Sequence, residues 1–157
     1  MNTPTDIRRI ADQRLLEAKI LVDSPLSTSY EGAYYLAGYC VELHLKAKIC
    51  ERLELPDLFL DAESSANNQA SFSHSQIGKF FKLHELSKLL LLSGLSQRLD
   101  REVITNPDLV ANWSVIKGWK ETKRYSSPGL ISKSAAKSLI DAIENTQNGF
   151  LQWILNQ

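Results

Sequence analysis

The stretch AYYLAGYCVELHLKAKIC, Ala33 to Cys50, restricts the fold more than any other part of the chain. It reads as one long helix that is apolar on nearly every side, and such a helix has to be covered by other elements. Glu42 and Lys46 nevertheless sit in its middle. A carboxylate and an ammonium inside a covered helix must find partners, because an unpaired buried charge costs several kcal/mol. The position of these two side chains is therefore the central question the sequence raises.

The rest of the chain supports a helical assembly, since helix periodicity dominates and strand alternation is nearly absent. A first helix is expected after Thr5 as N-cap, running to about Val22 on an apolar stripe of Ile7, Ile10, Ala11, Ala18 and Leu21, and ending at SPLSTS. The second spans about Tyr30 to Leu53 and stops before Pro56. The segment DAESSANNQASFSHS follows, and residues 61–76 read as an exposed loop. A third helical region covers about Gln76 to Ser93, with a possible break near Leu83. Leu83, Leu86, Leu89 and Leu90 form its stripe, and Gly94 serves as C-cap. A short helix over Ser96 to Val103 and another starting at Asn106-Pro107-Asp108 come next. After the turn RYSSPG, one last helix begins at Ser132 and runs nearly to the end. No internal repeat or linker interrupts residues 1–157. The expected fold is a single all-α domain, an up-and-down four-helix bundle with one or two additional short helices.

Composition limits the function classes. The chain has 157 residues, long enough for a real core without a disulfide or a metal. Its 18 basic and 18 acidic residues cancel, which disfavours a globally basic nucleic-acid binder but leaves a local basic patch open. Cys40 and Cys50 lie ten residues apart on one helix, about 15 Å of rise, too far for a disulfide. No Cys/His cluster has zinc spacing, so no metal and no cofactor is expected. The polar N-terminus lacks a signal-peptide core, and the longest apolar run is only Leu89 to Leu92. A cytoplasmic protein with no membrane contact is the expectation.

Helix angles place the two charges. At about 100° per residue, Tyr39, Glu42, Lys46, Ile49 and Leu53 fall within about 40° of Tyr35. His44, Lys48 and Glu51 fall on the opposite side and are the expected solvent face. Glu42 and Lys46 thus share the core-facing side, in the order favoured for an i,i+4 pair. Two readings stand: a structural ion pair with Lys46 reaching for solvent, or a polar pocket. The segment GWKETKRY, Gly118 to Tyr125, is the candidate to meet them. Arg124 can fork onto a carboxylate or phosphate, Tyr125 offers a ring and a hydroxyl, and Trp119 a stacking plane. Lys117, Lys120, Lys123, Arg124, Lys133 and Lys137 concentrate positive charge there, opposed only by Glu121. Lys120 and Lys123 would form the rim of a phosphate site. His84 is the candidate catalyst, as a general base with near-neutral pKa, although its place at a helix start also suits capping. His44 and His74 read as incidental, and Tyr34, Tyr35 and Tyr39 as core. No nucleophile elbow and no Gly-rich phosphate loop occurs.

Three segments together resemble HEPN domains. Ala33, Ala37, Gly38, Glu42, Leu45, Lys46 and Ala47 match the family's second-helix signature; His84 to Leu90 (HELSKLL) looks like its His-x-Leu segment. Trp119 to Tyr125 (WKETKRY) looks like its W-x-x-x-x-R-Y segment. The resemblance implies a compact bundle of four or five helices, often a homodimer, in toxin–antitoxin or antiphage settings and often encoded beside a nucleotidyltransferase. Many HEPN proteins are metal-independent ribonucleases with an Arg-x(4–6)-His motif. That motif is absent here; Lys79 to His84 is the nearest imitation, and lysine lacks the planar fork. The leading expectation is thus a HEPN-type helical binding module. Its pocket or interface would comprise Glu42, Lys46, Trp119, Lys120, Lys123, Arg124 and Tyr125, and it would take a nucleotide or RNA phosphate or a protein partner such as a nucleotidyltransferase. The alternatives are a divergent ribonuclease using His84 with Arg124 or Lys79 across a dimer cleft, and a non-catalytic dimeric scaffold.

Overall fold

The computed structural model describes residues 3–55, 58–59 and 83–157; the loop expected over 61–76, His74 and Lys79 lie outside them. The described residues form seven α-helices and two 3-10 segments without a strand, an all-α architecture. Two helices are long: α1, Pro4–Val22, and α2, Tyr30–Leu53. Five are short: α3, Leu86–Leu92; α4, Ser96–Thr105; α5, Pro107–Ile116; α6, Lys133–Glu144; and α7, Phe150–Leu155.

Local chemistry sets the ends of these helices. Thr3, not Thr5, caps α1, because Thr3 and Asp6 form a reciprocal capping box and Pro4 occupies the first helical turn. The buried stripe of α1 is Ile7, Ala11, Leu15, Ala18 and Val22, so Ile10 is exposed rather than core. At the end of α3, Gly94 takes a φ of 72°. Its N–H donates to the Leu91 carbonyl and that of Leu95 to Leu90, a Schellman closure that needs the left-handed residue glycine supplies. The Asn106 side chain accepts from the Leu109 N–H and caps α5. The single last helix expected from the sequence is two. After Glu144, the Asn145 side chain accepts from the N–H groups of Gln147 and Asn148, a local turn that competes with helix continuation. α7 then begins at Phe150, whose ring stacks 4.7 Å from Trp113 and ties α7 to α5.

α2 is the centre of the assembly. α1 runs antiparallel along it, since Arg8 pairs with Glu51, Asp12 with His44, and Leu21 lies against Gly32. α6, α3, α7 and the 3-10 segment Glu121–Tyr125 cover its other sides. Ala33, Ala37, Cys40, Val41, Leu45, Ala47 and Ile49 are all inaccessible to solvent and point in different directions round the helix. Cys40 and Cys50 are both buried, and burial pushes the Cys40 thiol far up, which leaves it unreactive.

The expected solvent face of α2 is corrected at His44, while Glu51 is exposed and Lys48 half-buried. His44 is 1% exposed because α1 packs over that side. Its Nε2 lies 3.0 Å from Asp12 Oδ1, and its Nδ1 is buried without a partner among the described residues. Burial lowers the His44 pKa below its ordinary 6.5, outweighing the attraction of Asp12, so the ring is neutral at pH 7 and donates from Nε2. Lys48 and Glu51 edge the same seam, where Arg8 holds Glu51 below the usual carboxylate range.

This burial fixes the sign of a pH response. The unfolded chain binds a proton at His44 first as pH falls through about 6.5, whereas the folded chain resists it. Stability is therefore full above that pH and declines below it until the lowered folded-state pKa is reached. Urea midpoints measured from pH 7 to pH 5 should fall, and His44→Gln should remove the histidine part of that slope.

Candidate functional site

The site is built on one face of α2. Glu42 is fully buried, and its Oε1 accepts from Lys46 Nζ at 2.7 Å, one helical turn on. The same oxygen lies 2.9 Å from His84 Nδ1. A carboxylate only accepts, so Nδ1 carries the proton in this contact. Glu42 Oε2 is buried without a hydrogen-bond partner among the described residues. Lys46 is nearly buried too, with its ammonium 5.3 Å above the Phe59 ring, a cation–π contact.

His84 lies in the segment just before α3 and does not cap it; the N-cap is Glu85, without a side-chain bond. The His84 side chain is 41% exposed, in contrast to the buried carboxylate behind it. Its Nε2 stands 3.6 Å from Glu121 Oε2. Glu121 opens the 3-10 segment and forms an ion pair with Arg124 three residues on. Lys46, Glu42, His84, Glu121 and Arg124 thus form one line of polar contacts that joins α2, the approach to α3 and the 3-10 segment.

Beside this line, Trp119 packs directly onto α2. A Cβ on Gly38 would come within 2.2 Å of the indole, so only glycine lets the ring this close. Trp119 is 2% exposed and sits 6.0 Å from the Tyr35 ring, which stacks on Tyr39. Burial and the Glu42 charge raise the Tyr39 pKa.

A cleft of about 480 Å³ opens where these elements meet, lined in part by His84, Ser87, Lys117, Trp119, Lys120 and Glu121. Its electrostatics are asymmetric. Glu121 is neutralised by Arg124, and the neighbouring Glu85 by Lys88 at 2.8 Å. Lys117 and Lys120 have no acidic partner among the described residues. Two ammoniums without an acidic partner among the described residues are therefore available to an anion. No group of three or more His, Cys, Asp or Glu side chains among the described residues is arranged to hold a metal.

The residues expected to form one pocket divide. Glu42, Lys46 and His84 come together, and Lys120 reaches the cleft. Trp119 forms part of the cleft wall, but as a buried packing residue rather than an open stacking plane. Arg124 does not anchor the Glu42–Lys46 pair; it pairs with Glu121 and lies 4.9 Å from the Tyr125 ring. Tyr125 is 76% exposed, and neither it nor Lys123 lines the cleft. Glu121, read from the sequence as a lone opposing charge, is the bridge that joins His84 to Arg124. Its i,i+3 spacing to Arg124 was the one local signal; nothing local points to His84, 37 residues earlier.

No family model, no curated protein and no solved structure matches the chain.

The buried pair makes a test of its own. Lys46→Met strips the Glu42 carboxylate of its nearest cation and should cost about 3 kcal/mol. Glu42→Gln together with Lys46→Met should cost clearly less than the two single changes added, because no net charge is left buried. Urea denaturation of the four proteins in the cycle measures this.

Proposed function

We propose that the chain is a HEPN-type helical module, an up-and-down bundle around α2, that binds the phosphate of a nucleotide or of RNA in the cleft at His84. The observation that carries this reading is the placement of an oriented, part-exposed imidazole beside Lys117 and Lys120, two ammoniums without an acidic partner among the described residues. The three segments that carry the family resemblance also meet at this place. Gly38 receives Trp119, Glu42 receives His84, and His84 reaches Glu121. In this reading the protein acts in a toxin–antitoxin or antiphage system in the cytoplasm, as a homodimer, with a nucleotidyltransferase as the protein partner.

The binding test uses tryptophan fluorescence, since Trp119 borders the cleft. Titration with single-stranded RNA should give a saturable change. Lys117→Ala with Lys120→Ala should weaken binding by about tenfold or more and lower the salt slope by about one unit, as expected for one to two lost phosphate contacts. A chain that shows no saturable change with RNA or mononucleotides is a scaffold, not a binding module.

One observation favours a second reading, a divergent metal-independent ribonuclease. Glu42 fixes the His84 ring through Nδ1 and leaves Nε2 on the cleft side, the arrangement a general acid or base requires. Here Arg124 acts through Glu121 rather than by direct contact with the charged pair. Labelled RNA in the presence of chelator should then be cut by the wild type and not by His84→Ala, with Arg124→Ala slowed. Intact RNA after incubation with the wild type retires the enzyme and leaves the binding module.

A further inference from the structure

Two carboxylates face the His84 ring, and they are held very differently. Glu42, at Nδ1, is fully buried and also accepts from the Lys46 ammonium. It cannot leave without stranding a charge in the interior. Glu121, on the Nε2 side, has a side chain 19% accessible and lines the cleft. Its Oε2 stands 3.6 Å from Nε2, longer than a good hydrogen bond. Its ion pair is with Arg124, whose side chain is 42% accessible. An i,i+3 pair at that exposure adds little stability, so turning the Glu121 carboxylate out to water costs little.

The place Glu121 occupies suits an anion with two oxygens. One oxygen meets the guanidinium and the other faces the imidazole. A phosphate also presents two oxygens, and a guanidinium forks onto a carboxylate or a phosphate alike. Lys120, next to Glu121 in the chain, lines the same cleft with Lys117. A carboxylate in this place both fills it and repels an incoming anion. Arg124 has other company, since the Tyr35 and Tyr125 side chains also lie beside it. The guanidinium therefore stays within reach when Glu121 turns away.

We propose that Glu121 is an internal stand-in for the ligand's phosphate, and that the phosphate binds by displacing this carboxylate from between His84 and Arg124. The cleft of the free chain is thus self-occluded. Arg124 becomes a ligand contact only once Glu121 has left, and Glu42 stays in place behind the ring. This inference rests on the reading of the His84 cleft as a phosphate site.

Isothermal titration of the full chain with inorganic phosphate tests it, using the wild type, Glu121→Gln, Arg124→Ala and the double variant. Glu121→Gln should tighten phosphate binding about fivefold or more, because the binding-competent state is no longer a minor one. The coupling between the two positions separates displacement from simple repulsion. Under displacement, Arg124→Ala changes the wild type little, since the lost phosphate contact is offset by the lost internal pair. In the Glu121→Gln background the same change removes only a contact, and binding should weaken about tenfold, as for a charge-assisted bond. If Glu121 instead stays on Arg124, Arg124→Ala bares a carboxylate beside the anion and harms the wild type more than the Gln background. That order, equal effects in both backgrounds, or unchanged affinity in Glu121→Gln overturns the stand-in. The cleft reading survives those results if Lys117→Ala with Lys120→Ala still weakens phosphate binding. Absence of phosphate binding in all four proteins overturns the cleft reading and the stand-in together.

Discussion

A carboxylate with no access to solvent, placed halfway along the most covered helix, governs how the rest of the site is assembled. Glu42 is fully buried, and its charge must be met inside the protein. Lys46 meets it from the same helix and requires no tertiary arrangement at all. That leaves hydrogen-bonding capacity on the carboxylate, and His84 takes some of it from a segment 42 residues away. The contact fixes the approach to α3 against α2. His84 in turn faces Glu121, and Glu121 holds Arg124, so the 3-10 segment is positioned by the same line of polar contacts. Apolar burial supplies most of the driving force for packing these short elements, but it is non-directional. The polar line is directional, and it is what can set their register.

The adjacent contact works by shape. Gly38 offers no side chain, and the Trp119 indole lies where a Cβ would be. This brings the chain just before the 3-10 segment close to the α2 axis and places Glu121 within reach of His84. One helix face thus carries, four residues apart, a position that must be small and a position that must be acidic. The first admits the ring and the second recruits the imidazole.

Much of this architecture was legible from the chain alone. The all-α class and the bounds of α2 follow from local periodicity and from breakers near Leu53, both of which are short-range properties. The inward direction of Glu42 and Lys46 follows from helix angles. What the angles misjudged is the opposite side of the same helix. His44, Lys48 and Glu51 are polar residue types, and polar types at a common angle read as solvated. Instead α1 covers His44 and brings Asp12 as its partner, whereas Lys48 is half-buried and Glu51, paired with Arg8, is exposed. Partner choice across distant segments has no local signature. Arg124 suits a carboxylate wherever one is near, and Glu121 is three residues away whereas Glu42 needs a tertiary path. The break after Glu144 was readable in principle: Asn145-Thr146-Gln147-Asn148-Gly149 is rich in residues that bond their own backbone, but the apolar periodicity on both sides concealed it.

α2 therefore carries a histidine–carboxylate contact on each of two sides, and the geometry separates their roles. At the α1 seam the imidazole is the buried member and the carboxylate the exposed one: His44 is 1% and Asp12 63% accessible. A ring in that position is shielded from any ligand, and its second nitrogen is enclosed. At the other seam the order is reversed. The carboxylate is buried and the imidazole of His84 is 41% accessible, with a cleft in front of it. A buried acid behind an accessible imidazole holds the ring still, with Nε2 on the cleft side 3.6 Å from Glu121 Oε2. The same pair of residue types thus locks two helices together on one side of α2 and presents an accessible imidazole on the other. The difference lies in which of the two partners faces water.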